Sequence, residues 1–386
     1  MVRVMANKVL FCATVDYHFT AFHIPTIKWF KNMGWEVHIA ANGNIEIPYV
    51  DYKYNIPIQR SPLHLDNIKA FKELKAIVTQ NKYQIIHCHT PMGGIIARLA
   101  AKKARKEGTK VIYTAHGFHF CKGAPLLNWL IYYPIEKRMA HYTDCLITIN
   151  HEDYKLSTSF KAIQNEHVHG VGINTVDFLP VNENKKMDLK KSFGYQSDDF
   201  LLFYAAEFNK NKNQQFLLRS LALLKDEIPK AKLLLAGEGP LLNNCKQLAI
   251  NLGISHMVDF LGYRNDIKEI LPMCDIALAS SLREGLPVNI MEAMACGLPI
   301  VAVDNRGHRE LVHNDRNGWI ISNNDLKGFS NKIKTLAEME DLKRQLGKYG
   351  REMIVKKYSF DKVLTELSEI YTSYMVEMED AKWAYH

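Results

Sequence analysis

Ser280-Ser281-Leu282-Arg283-Glu284-Gly285-Leu286-Pro287-Val288-Asn289-Ile290-Met291-Glu292-Ala293-Met294-Ala295-Cys296-Gly297-Leu298-Pro299 follows the short apolar run Ile276–Ala279 and leads into another, Pro299–Val303. Short apolar runs bounded by turn residues read as buried strands. Pro287 suits a first helical turn, and Gly297 with Pro299 closes the helix. The stretch therefore reads strand, turn, helix, strand, the repeating unit of a parallel sheet. A helix that opens on such a turn leaves the N–H groups of Val288, Asn289 and Ile290 unpaired, and the helix dipole adds to them as a seat for a diphosphate. Glu284 lies in the turn and Glu292 about two helical turns later, so both can face one site.

The same alternation extends outward in both directions. The apolar runs are Val9–Ala13, Glu36–Ala40, Gln84–Cys88, Lys110–Thr114 and Cys145–Ile149 in the first half, and Leu201–Ala205, Lys232–Ala236 and Val258–Leu261 before the quoted stretch. Helical stretches such as Asp66–Asn81 and Gly93–Lys106 lie between them. The segment Gly170–Val181, with Gly170, Gly172, Asn174 and Pro180 and no period, reads as a linker. A chain of 386 residues exceeds one hydrophobic core. Two α/β domains are expected, 1–176 and 177–359. A helix over about 360–386 is expected to pack back on the first, with apolar residues at Val363, Leu364, Leu367, Ile370, Tyr371 and Tyr374.

Composition excludes several classes. With 47% apolar and 23% charged residues the chain is globular rather than disordered. No apolar run reaches the ~18–20 residues that span a bilayer. Lys8–Ala13 is too short for a signal peptide and reads as the first strand. Seven cysteines without a C-x-x-C spacing argue against disulfides or structural zinc. Cys12, Cys88, Cys145, Cys274 and Cys296 read as core residues of a cytoplasmic protein. The net charge of +8 suggests an anionic partner, and Lys102, Lys103, Arg105 and Lys106 offer attraction to anionic lipid or simply a solvated helix end. Zinc-finger spacing and an aromatic RNP pattern are lacking, so nucleic acid is not expected. The missing G-x-G-x-x-G disfavours a nicotinamide oxidoreductase.

The pattern S-x-x-E-G-x-P-x-x-x-x-E-A-M-A-x-G-x-P around Glu284 and Glu292 resembles the retaining glycosyltransferases of family 4. Gly237-Glu238-Gly239-Pro240, Phe260-Leu261-Gly262-Tyr263-Arg264 and Gly170-Val171-Gly172-Ile173-Asn174 match in the same order. Phe11–Phe19, His87-Cys88-His89-Thr90-Pro91 and Tyr113–Phe120 are similar to transferases of bacterial biofilm and capsule exopolysaccharide clusters. The resemblance covers nearly the whole chain. It implies an α/β protein of GT-B fold, two Rossmann-like doubly wound parallel-sheet domains facing an interdomain cleft.

The resemblance also implies roles. Glu292 would bond the nucleotide ribose, and Glu284 would lie against the donor sugar. Lys212 would clamp the diphosphate, stabilising charge as it develops on the leaving phosphate. Glu207 stands where the family has an arginine, and Arg283, Arg306 or Arg309, with Arg306 ranked first, would supply the missing cation. Gly237, Glu238 and Arg264 would join Val288, Asn289 and Ile290 in holding the nucleotide. His116 would stand beside the donor sugar at the reacting centre. His87, His89 and His116 could mimic a three-histidine metal site, but no acidic partner stands at ligand spacing, so no metal and no cofactor are expected. The implied activity moves an N-acetylhexosamine or hexose from a UDP-sugar to a lipid-linked or saccharide acceptor. It proceeds with retention and without metal, from the cytoplasm and in peripheral contact with anionic membrane. A UDP-sugar 2-epimerase and a non-catalytic polysaccharide-assembly component are the rivals.

Overall fold

The structure, a computed structural model, describes residues 7–383. The last three residues of the helix expected over 360–386 thus lie outside the described residues. The chain divides into two compact units: one runs to Gly172 and resumes at Phe360, the other is Ile173–Ser359.

The first unit holds seven strands: β1 Lys8–Val15, β2 Glu36–Asn42, β3 Tyr52–Asn55, β4 Ile85–His89, β5 Lys110–Ala115, β6 Cys145–Thr148 and β7 Gln164–His167. They pair in the order β3-β2-β1-β4-β5-β6-β7, all parallel. Side chains alternate across a strand, and here both faces are covered, which is why the strands read as continuous apolar runs. Leu10 and Cys12 of β1 join one core with Leu74 and Ile96 from helices Asp66–Asn81 and Pro91–Ala100. Val9, Phe11 and Ala13 join the opposite core, with Ile27 and Phe30 of helix Ile24–Asn32 and Val363, Leu367, Tyr371 and Tyr374 of helix Phe360–Trp383. The single helix expected over Gly93–Lys106 is two, Pro91–Ala100 and Lys102–Lys106, meeting at Ala101.

The second unit holds β8 Phe200–Ala205, β9 Ala231–Ala236, β10 Val258–Gly262, β11 Ile276–Ala279, β12 Ile300–Val303 and β13 Gly318–Ile321. The order is β10-β9-β8-β11-β12-β13, again all parallel. Each unit is thus a doubly wound Rossmann-like sheet. All seven cysteines are buried and free. Among the described residues no helix is long and apolar enough to cross a membrane.

Candidate functional site

In the second unit the strand order reverses between β8 and β11. Such sheets receive ligands outside the carboxyl ends of the strands at that reversal. β8 ends at Ala205 and β11 at Ala279, so the loops 206–213 and 280–287 border it. Hydrogen bonds stitch the two loops together. Leu282 N–H donates to the carbonyl of Asn211 at 2.8 Å, Ser280 Oγ to that of Lys212 at 2.7 Å, and Asn211 Nδ2 to that of Arg283 at 3.0 Å. The buried Tyr204 hydroxyl lies 2.7 Å from Ser281 Oγ, and Asn305 Nδ2 donates to the Ser281 carbonyl at 2.7 Å.

That frame holds Lys212 Nζ 2.5 Å from Glu284 Oε1, both groups half-buried. The ammonium can exchange this carboxylate for a phosphate oxygen, another charge-assisted acceptor. Arg306 is buried, and its Nε donates to the Glu284 carbonyl at 2.9 Å. Arg309 bonds Asp304 at 2.6 Å, and Arg283 Nε lies 3.4 Å from Asn211 Oδ1. Glu207 is exposed and accepts from Asn209 Nδ2 at 3.0 Å. Arg264 is held by Asp266, with Nε 2.7 Å from Oδ1.

Helix Val288–Ala295 begins one residue later than expected: Pro287 is extended at φ −78°, ψ 114° and precedes the helix instead of forming its first turn. The helix also offers two open N–H groups, not three. Asn289 Oδ1 accepts from the Ile290 N–H at 2.9 Å, while Asn289 Nδ2 donates to the Ala205 carbonyl at 2.9 Å and pins the helix to the end of β8. The N–H groups of Val288 and Asn289 have no partner among the described residues. Farther along this helix, the Glu292 carboxylate has neither hydrogen bond nor ion pair among them, and loss of solvation pushes its pKa up to about 7. Gly237, at φ +133°, follows β9 against the loop after β8; a Cβ there would stand 2.2 Å from the Ala206 carbonyl oxygen. The neighbouring Glu238 carbonyl accepts from the Phe208 N–H at 2.7 Å.

In the first unit the order reverses between β1 and β4. Thr14 and Thr90 join the two strand ends, hydroxyl to hydroxyl, at 2.7 Å. Thr90 sits at φ 61°, ψ 151°, a conformation nearly reserved for glycine, and strain of this kind gathers at functional sites. His89 ends β4 beside it, and His116 follows β5. His18, in helix Tyr17–Phe22, and His23, just beyond that helix, complete a group that the sequence did not single out. His18 Nε2 lies 3.1 Å from His23 Nε2, and His89 Nδ1 lies 3.3 Å from His116 Nε2. Burial pushes all four imidazoles below their ordinary pKa, His18 to about 4. His87 does not join them. Its Nδ1 lies 2.6 Å from the Tyr371 hydroxyl and its Nε2 2.8 Å from Thr114 Oγ1. The spacing of His18 and His23 carries no motif; only the turn between two short helices brings both rings onto the strand ends.

Residues 185–353 match the family model of glycosyl transferases group 1, and residues 8–150 match that of the glycosyl transferase 4-like family. The chain is 49% identical over 373 residues to EpsD of Bacillus subtilis, covering 96% of this chain and 98% of that one. It is 27% identical over 322 residues to UDP-Gal:alpha-D-GlcNAc-diphosphoundecaprenol alpha-1,3-galactosyltransferase of Escherichia coli, covering 80% and 82%. Among solved structures it resembles Anabaena Alr3699/HepE in complex with UDP-glucose, with a TM-score of 0.77 at 17% identity over 95% of this chain and 99% of that one.

Proposed function

The chain belongs to the family 4 glycosyltransferases of GT-B fold, and from that premise we propose that it transfers a hexose or N-acetylhexosamine from a UDP-sugar to a lipid-linked or saccharide acceptor in polysaccharide biosynthesis. The observation that carries this reading is the set of groups at the β8/β11 reversal. A lysine and a buried arginine meet at Glu284, and helix Val288–Ala295 carries two N–H groups and a carboxylate that have no partner among the described residues.

Lys212, Arg306 and the N–H groups of Val288 and Asn289 would take the diphosphate, so its charge needs no metal. Glu292 would accept the ribose hydroxyls, and Glu284, released from Lys212, a hydroxyl of the donor sugar. Gly237 and Glu238 would border the base, and Arg264, tied to Asp266, would stand behind them. The second unit would thereby hold the donor and the first the acceptor, with His116 bonding a sugar hydroxyl. Retention would follow if the leaving phosphate takes the acceptor proton on the face it departs from, leaving the protein to orient and to stabilise charge. A UDP-sugar bound in the solved Anabaena relative and a diphosphoundecaprenol in the name of the Escherichia coli relative support the choice of donor and acceptor class. Acceptors of that class sit at a membrane, and Lys102, Lys103 and Lys106 would supply peripheral attraction to anionic lipid.

The test has two arms. Thermal shifts should be larger with UDP or a UDP-sugar than with ADP, GDP or NAD at equal concentration. Incubation of UDP-sugars with a polyprenyl-diphosphate saccharide should then lengthen the saccharide by one residue with retained configuration. A larger shift with NAD, or an epimerised sugar formed without any acceptor, would overturn the reading.

A further inference from the structure

The four histidines at the carboxyl ends of β1, β4 and β5 have a geometry that sugar transfer does not explain. One ring nitrogen from each of His18, His23, His89 and His116 lies within 4.8 Å of every other. A tetrahedral zinc with Zn–N bonds of about 2.0–2.1 Å separates its ligand atoms by about 3.3 Å. The two nearest pairs, His18 with His23 at 3.1 Å and His89 with His116 at 3.3 Å, have close to that edge length. We propose that these four imidazoles form a binding site for one divalent transition-metal ion of the zinc type, on the ligand-receiving edge of the first unit.

Two separate N–H···N hydrogen bonds would explain each short distance alone. They do not explain why the two pairs converge. Nor do they serve His89 Nε2, which is buried without a partner among the described residues. The contrast with His87 is direct, because both nitrogens of that buried ring are satisfied by hydroxyls. The chemistry of the four also fits. An all-nitrogen set selects zinc, copper, nickel or iron over magnesium or calcium, which take oxygen ligands. His23 and His89 are buried whereas His18 and His116 are partly open, so the site has an inner wall and an entry side.

All four ligands belong to the first unit, where the ion would lock helix Tyr17–Phe22 to the loop that carries His116. Through one nitrogen His116 would bind metal, and through the other it could still donate to a sugar hydroxyl. The inference goes beyond the transferase reading.

The test uses the full chain without a histidine tag. Protein stripped with a chelator is titrated with Zn²⁺, bound metal is counted by mass spectrometry after gel filtration, and affinity is read by competition with a chromophoric chelator. Wild type should retain one equivalent. Its Co²⁺ form should show the intense visible absorption of a tetrahedral site. His18→Ala and His116→Ala, both at the open side, should each lose at least ~100-fold in affinity, while His64→Ala at the exposed His64 should not. Far-UV circular dichroism checks that the variants fold; should either fail, His18→Gln replaces it, keeping volume and losing the ligand. Wild type that retains no zinc after gel filtration, or folded variants that bind as wild type does, would overturn the proposal and leave a hydrogen-bonded histidine cluster. None of these readouts depends on transferase activity, so failure here leaves that reading standing.

Discussion

A carboxylate with pKa about 7 changes charge in the pH range where the chain is handled. For Glu292 the folded value lies above the unfolded one, so the folded state binds the extra proton between about pH 4.5 and 7. Its contribution to stability is therefore greatest below that window, declines as pH rises through it and is level beyond. Urea titrations across pH 4.5–8 should show this slope in wild type and lose it in Glu292→Gln. The same titration bears on the donor, because an ionised carboxylate is the better acceptor for ribose hydroxyls. UDP-glucose is the suitable probe, since its diphosphate does not titrate here. From pH 8 to 6 its affinity should fall about tenfold in wild type, one pKa unit of protonation, and stay level in Glu292→Gln. Parallel curves would remove Glu292 from the ribose. Lys212 makes a different kind of prediction. Its pair with Glu284 is half-buried, so Lys212→Ala should cost about 1 kcal/mol and shift Tm by ~2–4 °C. Turnover should fall by about 10²-fold if the ammonium steadies the leaving phosphate; normal kcat in a folded variant would exclude that role.

Elements were legible where burial acts on both faces. The central strands β1, β4, β8 and β11 are buried along most or all of their length, and each was readable from the apolar run it carries. β3 and β7, Tyr-Lys-Tyr-Asn and Gln-Asn-Glu-His, stand at the sheet edges, carry no apolar run, and exist because a neighbour's backbone pairs with them. β13, Gly-Trp-Ile-Ile, is another edge strand, short and opened by a glycine. The motif in 280–299 pointed to the candidate site but not to its inner bracing, because Asn211, Asn289 and Tyr204 act through contacts with distant loops. The basic helix Lys102–Lys106 shows a related limit. Arg105 is occupied by Asp144, with both bonds at 3.0 Å, and Lys102 lies over the Tyr142 ring. Any attraction to anionic lipid thus rests mainly on the lysines. Lys102→Glu with Lys103→Glu should abolish sedimentation with anionic vesicles at low salt and leave UDP affinity unchanged. Wild-type sedimentation should itself vanish at 1 M salt, where the Debye length is about 3 Å. Equal sedimentation of both proteins would make the helix a solvated surface only.

At the scale of the molecule, two Rossmann-like sheets follow from alternation; the glycine-rich break led to an expected boundary at 176/177, and the units divide at Gly172/Ile173. The histidine cluster did not follow, because its members come from four places separated by 5, 66 and 27 positions and meet only at a strand-order reversal. The most distant sequence relation lies within the first unit, where helix Phe360–Trp383 returns to it. Tyr371 there packs fully buried in the core with Phe30 and bonds His87. Tyr371→Phe should destabilise the first unit by about 1–3 kcal/mol, the cost of leaving a buried polar nitrogen unpaired. A urea midpoint equal to wild type would show that His87 finds another partner. That returning helix also dictates the order of biogenesis. Between Gly172 and Phe360 the ribosome makes all of Ile173–Ser359, which takes ~10–40 s at about 5–20 residues per second. During that interval Phe30 and His87 lack Tyr371, which packs on the one and bonds the other, while the later-made unit is contiguous in sequence and holds all its own strands. The half of the protein that is translated first is therefore the half completed last, and it is the one that chaperones would have to shield.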